Sequence, residues 1–516
     1  MESLKQIIKI ASKRRLKNLE VIDSKILADK NNLYHKFYNG VNSGQFSSDQ
    51  DASSYFYSAK PTDPRYRKLK SRFKNRLYNS VIFFDSENQK VSSYQRMYYR
   101  NYRDFISLMF VIKNGGRQVI VKDALKLLKT VSKYEFYDIS ILLSQLLMEY
   151  YSIINDHSKF SKIRDKNIEF MEKFSLQNES KELSFLSDLI AKNSKLNVNI
   201  KLKELMDIFN KIVKISKKSN CNIIANNRFN CAIQYFTQLR DYKRLLCSIA
   251  EYESYLLQNT LFSTKNKIAK LSFFKLLAYL HQSEFKKGSE CVEMVDGIVT
   301  IGTNNWALFK EYHYLLSIKT ERYYQAFDVL HTVTSHPRFN TTLSNQKERW
   351  RIFEAYLEWV IVNNKGLNER IATFRIDKGQ KPDKTFRLAK FLNDVPTYEK
   401  DKRGLNVAII IIGILWNLKR ENFNPIIDKQ DSLKTYAQRY LKEDDSYRSK
   451  MFLYMLITMI KKSFNYEKTK RLSKKYFDKL KTKDMHYQGG SIDLEIVPYE
   501  KLWPMVLKLL KEHEGK

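Results

Sequence analysis

The chain has 516 residues and a formal charge of +35, from 91 lysines and arginines against 56 aspartates and glutamates. Its 43% hydrophobic and 13% aromatic content excludes global disorder. No proline occurs between Pro64 and Pro337 and no glycine between Gly116 and Gly288, which excludes a sheet protein built on tight turns and points to long helices joined by polar ones.

The length suits two to four domains, or one extended array whose size is not limited by a single core. The charge excess sits at the ends, about +15 in residues 1–130 and about +12 in 371–516, against about +8 between them. Such a field favours RNA, DNA or another polyanion, or else reflects a lysine-rich composition that only keeps the surface soluble. Cys221, Cys231, Cys247 and Cys291 form no CxxC pair and have no histidine at ligand spacing. That argues against a zinc module or a disulfide framework and predicts a reducing, cytoplasmic setting. Residues 1–16 lack the apolar core of a signal peptide.

In chain order, residues 3–35 are expected as one or two amphipathic helices carrying Lys13, Arg14, Arg15 and Lys17. Residues 38–64 break all periodicity and are expected as a long loop. From Arg65 a helical segment crowds Arg65, Arg67, Lys68, Lys70, Arg72, Lys74 and Arg76 among Tyr66, Phe73 and Tyr78. Cations for phosphates interleaved with rings for bases form a candidate polyanion site, the bland alternative being a solvated helix face. Tyr94, Met97, Tyr98, Tyr102, Phe105, Leu108 and Met109 then follow the three-and-four spacing of a buried helix face, closed by Gly115 and Gly116.

The middle, residues 131–365, repeats one grammar: an apolar helix, a short polar turn, an aromatic residue, a second helix. Phe160, Tyr242, Phe285 and Tyr323 mark the instances. With one further turn near Asn199 the period is close to forty, and stacked helix pairs answer that pattern because one pair cannot bury its apolar face alone. The segment Tyr323-Tyr324-Gln325-Ala326-Phe327, with Leu330 and Pro337 beyond, resembles the tetratricopeptide-like class of helical repeats. The resemblance implies an all-α, right-handed helical-hairpin solenoid, with Ala326 where two helices approach and Pro337 closing the second. It also implies a concave face for a peptide, a partner protein or, in some members, nucleic acid. The period exceeds that family's, and the other units lack the small residue.

A polar linker with Gly366, Gly379 and Pro382 leads to a C-terminal helical block at 386–516. The charged turn Lys400-Asp401-Lys402-Arg403-Gly404 precedes Val407–Trp416, an apolar run half the length of a membrane span and therefore expected as a buried helix. No membrane partner is expected. Arg403 suits a fixed contact, an internal ion pair or a clamp on a partner's phosphate or carboxylate, because its fork makes two parallel hydrogen bonds. Phe464-Asn465-Tyr466 repeats the turn grammar ahead of a second basic patch with Lys461, Lys462, Lys468, Lys470, Arg471, Lys474 and Lys475. A short extended stretch, Ile492 to Val497, precedes the last helix.

No phosphate loop, HExxH, GxSxG or Cys-His pair at motif spacing occurs, so no cofactor or metal is expected. His331 and His336, five apart, do not share a helix face. A cryptic metal-dependent nuclease has only two fragments to build on, Pro425 to Lys429 and the pair Asp493 and Glu495, which alternation on a strand would place on one side. The leading expectation is a non-enzymatic scaffold holding a protein or peptide on a repeat surface. A nucleic-acid-binding sensing or positioning subunit is the alternative, and the nuclease the third reading.

Overall fold

A computed structural model describes residues 26, 28–82, 93–113, 117–193, 196–341, 344–377, 386–395, 405–441, 446–482 and 495–514. Their regular elements are all helical, and no helix among them is long and apolar enough to cross a membrane. Two compact units emerge, residues 1–231 with 259–262, and residues 232–258 with 263–516. The division falls inside the span 131–365. Lys13, Arg14, Arg15, Lys17, Gly115, Gly116, Lys402, Arg403 and Asp493 lie outside the described residues.

The first unit begins with α1 (Leu33–Asn42), α2 (Asp49–Tyr57) and α3 (Pro64–Ile82). The loop expected at 38–64 is therefore corrected: it contains the end of α1 and all of α2. The polar run that looked like a loop is a helix start, since Ser48 accepts from the backbone N–H of Asp51 while Asp51 accepts from that of Ser48. Phe37, Phe46, Ala52, Tyr66 and Phe73 close a small aromatic core over these helices. A larger core joins α4 (Ser93–Lys113), α5 (Arg117–Lys133), α6 (Tyr137–Ile153) and the 36-residue α7 (His157–Lys192), followed by α8 (Val198–Lys218) and the start of α9 (Asn222–Leu239).

The second unit continues with α10 (Tyr242–Gln258), α11 (Lys265–His281), α12 (Phe285–Val295), α13 (Asn304–Lys319), α14 (Tyr323–Thr334), α15 (Ser344–Val362) and α16 (Lys365–Asp377). Then come α17 (Leu388–Asp394), α18 (Leu405–Lys419), α19 (Asn424–Ile427), α20 (Gln430–Tyr440), α21 (Tyr447–Lys461), α22 (Tyr466–Lys481) and α23 (Tyr499–Glu514). Helix α18 contains the apolar run and is buried on nearly every side, as are α13, α15 and α21. Their polar tips are spent on neighbouring backbones: Tyr314 Oη donates to Phe353 O (2.8 Å), Tyr356 Oη to Ala408 O (3.0 Å) and Trp416 Nε1 to Ala355 O (3.2 Å). No strand occurs among the described residues of the expected extended stretch. Glu495 there is buried and accepts the Arg448 guanidinium through both oxygens, at 2.9 and 2.8 Å.

One turn recurs where helices double back. Glu135, Asn155, Arg240, Ser283, Glu321, Glu421 and Ser463 all take positive φ. In each case the next residue's N–H reaches the carbonyl five positions earlier, as in Glu284 to Tyr279 (2.9 Å) and Arg322 to Ser317 (2.8 Å). This closes the helix end in the manner glycine usually permits. A ring follows two residues after the left-handed one at Tyr137, Tyr242, Phe285, Tyr323 and Phe423. Three residues past Tyr137, Phe285 and Tyr323 stand the buried Ser140, Gly288 and Ala326. The small residue is thus not confined to Ala326: a Cβ on Gly288 would lie 3.3 Å from Leu316.

Two stability predictions follow from these features. Ser283 is exposed at φ 58, so Ser283→Gly relieves left-handed strain and raises the unfolding free energy by up to about 1 kcal/mol, read as a higher denaturant midpoint. His313 is buried with no hydrogen-bond partner on either ring nitrogen. Burial, reinforced by Lys310, lowers its pKa from 6.5 to about 4. The unfolded chain then binds a proton that the folded one refuses, so stability falls as pH drops from 6.5 toward 4, by up to about 3 kcal/mol. Urea titrations at pH 7 and pH 4.5 should show this loss, and His313→Phe should reduce it.

Candidate polyanion-binding faces

Helix α3 carries the first predicted site, and its side chains divide by face. Tyr66 and Phe73 point inward and are 1% and 6% exposed. Tyr66 Oη donates to Asp49 Oδ1 (2.7 Å), and the Phe73 ring lies edge-on to Phe37 at 4.5 Å. Their assignment as stacking platforms is corrected, because the helical period that interleaves rings with cations puts the two on opposite faces. Tyr78 is 61% exposed, with Lys74 Nζ 5.6 Å from its ring centre.

The cations divide as well. Arg65 forms a bidentate contact with Asp63, Lys70 pairs with Asp49 at 2.6 Å, and half-buried Arg76 stacks over Tyr34 at 4.5 Å. Lys70 and Tyr66 together hold the Asp49 carboxyl below its usual range. Those three cations are occupied holding α3 to α1, α2 and the turn before it. Arg67, Lys68, Arg72 and Lys74 are exposed and form no ion pair among the described residues.

The second patch is divided: Lys461 and Lys462 lie at the end of α21, and the rest is on α22, which buries Thr469, Ser473 and Leu480. Its outward arc presents Lys468, Lys470, Arg471, Lys474, Lys475, Lys479 and Lys481, interrupted only by Glu467 and Asp478. None of the seven forms an ion pair among the described residues. Lys470, Lys475 and Lys481 lie over Tyr466, Tyr476 and Phe477 at 5.3, 4.9 and 4.4 Å, so rings orient the ammonium groups without neutralising them. Lys470 Nζ also donates to Tyr466 Oη at 3.2 Å, which raises its pKa.

A third face was not singled out in the sequence. On α4, Arg96, Arg100 and Arg103 recur at four and three residues, one stripe about 10 Å long. None forms an ion pair among the described residues, and Tyr99 beside them is 61% exposed. Arginine at positions i, i+4 and i+7 was the available signal, masked by the apolar periodicity on the opposite side.

Asp428 and Lys429 are exposed at the end of α19. Among the described residues no group of three or more His, Cys, Asp or Glu side chains is placed to hold a metal. Glu495 is the ion-pair partner of Arg448, and His336 Nδ1 accepts the Arg338 N–H at 3.2 Å. No family model matches the chain, and no curated protein or solved structure is detectably similar to it.

The division of α3 into an inner and an outer face has a measurable consequence. Replacing Arg67 and Lys74 together by Gln should move stability by no more than about 0.5 kcal/mol, whereas Phe73→Ala should cost about 3–5 kcal/mol. Chemical denaturation of both variants checks the contrast.

Proposed function

We propose that the chain is a nucleic-acid-binding protein whose outward helix faces contact the phosphate backbone. The observation that carries the reading is α22, where seven cations share one arc with two carboxylates and no ion pair among the described residues. Surface lysines are usually interspersed with acids, and uncompensated like charges repel one another, so such a face is most favourable with a polyanion against it. Helices α3 and α4 supply two more such faces, each beside an exposed tyrosine suited to stacking. The recurring left-handed turn supports reading the helix pairs as hairpin units of a right-handed solenoid.

A scaffold that binds a protein or peptide is the second reading. It is favoured by the far half of α7, which buries Ser180, Ser184 and Ser187 while leaving Phe185 and Leu189 67% and 69% exposed.

Binding measured by fluorescence anisotropy with labelled RNA and DNA separates the two. Affinity should fall steeply between about 50 and 200 mM salt, and Arg471→Gln, Lys474→Gln and Lys475→Gln together should lower the slope of log K against log salt by roughly 2. Absence of any binding at about 50 mM salt would overturn the nucleic-acid reading.

A further inference from the structure

The first unit contains a cleft of about 270 Å³ between α4, the turn joining α5 to α6, and α7. One wall is aromatic: Tyr94 and Tyr98 each meet the buried Phe136 edge-on, with ring centres 4.9 and 5.0 Å away. Tyr99, its ring 5.9 Å from that of Tyr98, also lines the cleft while remaining 61% exposed, which places it at the rim. The polar wall combines the carboxylates of Glu135 and Asp138 with the amides of Gln95 and Gln177 and one cation, Lys181.

Those carboxylates are held in place. Tyr98 and Tyr102 both donate to Asp138 Oδ2 at 2.7 Å, the Ile139 N–H donates to Oδ1 at 2.9 Å, and the Asn222 N–H donates to Glu135 Oε2 at 2.7 Å. A carboxylate offers about four acceptor sites, so Asp138 keeps acceptor capacity beyond these three bonds. With two carboxylates against the single ammonium of Lys181, the wall keeps an acidic excess that disfavours phosphate. It accepts the N–H groups of a flat ring stacked against tyrosine.

Helix α4 links this cleft to the arginine stripe. Around its axis Gln95 and Tyr98 face the cleft, Arg96, Arg100 and Arg103 lie on another arc, and Tyr99 falls between the two. A strand whose phosphates follow the arginines therefore passes Tyr99 at the point where a base can turn inward.

We propose that this cleft accepts one unstacked nucleobase bearing an exocyclic amino group, from a single strand whose phosphates run along Arg96, Arg100 and Arg103. The proposal rests on the nucleic-acid reading and narrows it. Bases in a duplex are paired and stacked, so only a single strand can supply one. Adenine, cytosine and guanine present the two N–H donors of an amino group to the acceptors, whereas uracil and thymine offer only a single ring N–H.

The test uses the full chain with three labelled probes at equal salt: an oligouridine, the same strand carrying a central cytosine, and a duplex of equal length. Tyr99→Ala and Gln95→Ala are the variants, both at exposed positions, with circular dichroism confirming unchanged helicity. The cytosine strand should bind most tightly, and Tyr99→Ala should weaken it by about tenfold while leaving duplex binding unchanged. Gln95→Ala should narrow the difference between the cytosine strand and oligouridine. Equal loss on strand and duplex, or no loss on either, would overturn the base-binding proposal while leaving phosphate binding intact. Failure of all three probes to bind would instead remove the nucleic-acid reading itself.

Discussion

A helix enclosed on all sides has no solvent to accept the hydrogen-bond donors of its aromatic side chains, and the core of the second unit is built around that constraint. Tyr314 of α13 donates to a carbonyl of α15, Tyr356 of α15 to one of α18, and Trp416 of α18 back to α15. Each bond adds only about 1 kcal/mol net, but an unmade donor in that interior costs about 1–3 kcal/mol. Three of the rings bury their area in a register that also satisfies their tips, while Trp359 Nε1 in the same core has no hydrogen-bond partner among the described residues. Apolar packing supplies the driving force there, and three polar atoms select the arrangement.

The treatment of charge follows from the same constraint. Two buried arginines are paired, Arg375 with Glu358 and Arg448 with Glu495, because an uncompensated buried charge is far costlier than the pair. Acidic residues are the scarcer sign in this chain, and several of them are committed to such internal or near-surface pairs. The cations left over stand on outward helix faces, those of α3, α4 and α22 among them, where water screens them. A basic composition thereby becomes a spatial pattern: neutral pairs within, bare cations on particular outward faces.

How much of this was legible in the sequence depends on how local the signal was. The all-helical class followed from the scarcity of glycine and proline, and the burial of Val407–Trp416 from its unbroken apolarity. The aromatic after each turn was visible at Tyr242, Phe285 and Tyr323. Its cause, a left-handed residue two positions earlier, was hidden because serine, arginine and glutamate fill a position where glycine is the usual marker. Helix α2 was missed because Ser48 and Asp51 form a capping pair within a run of polar residues that composition alone assigns to loop. Glu495 was placed beside Asp493 by alternation, whereas its real partner, Arg448, is 47 residues away and can be found only by folding.

Arg448 also shows how the buried ion pairs bear on the outer faces. While its Nε and Nη2 hold Glu495, its Nη1 donates to the carbonyl of Leu480 (3.1 Å), in the last turn of α22, and Nη2 reaches Glu500 on α23 (2.7 Å). One guanidinium therefore ties α21, the end of α22 and the start of α23. It neutralises an orphan carbonyl of the helix whose opposite side carries the seven cations. The rotation of α22 about its axis decides whether those cations face solvent or core, and that rotation is set by the inner face packing under a bond directed to its C-terminus. The arrangement of the cationic arc is thus inherited from an ion cluster of Arg448, Glu495 and Glu500 on the inner side of the helix.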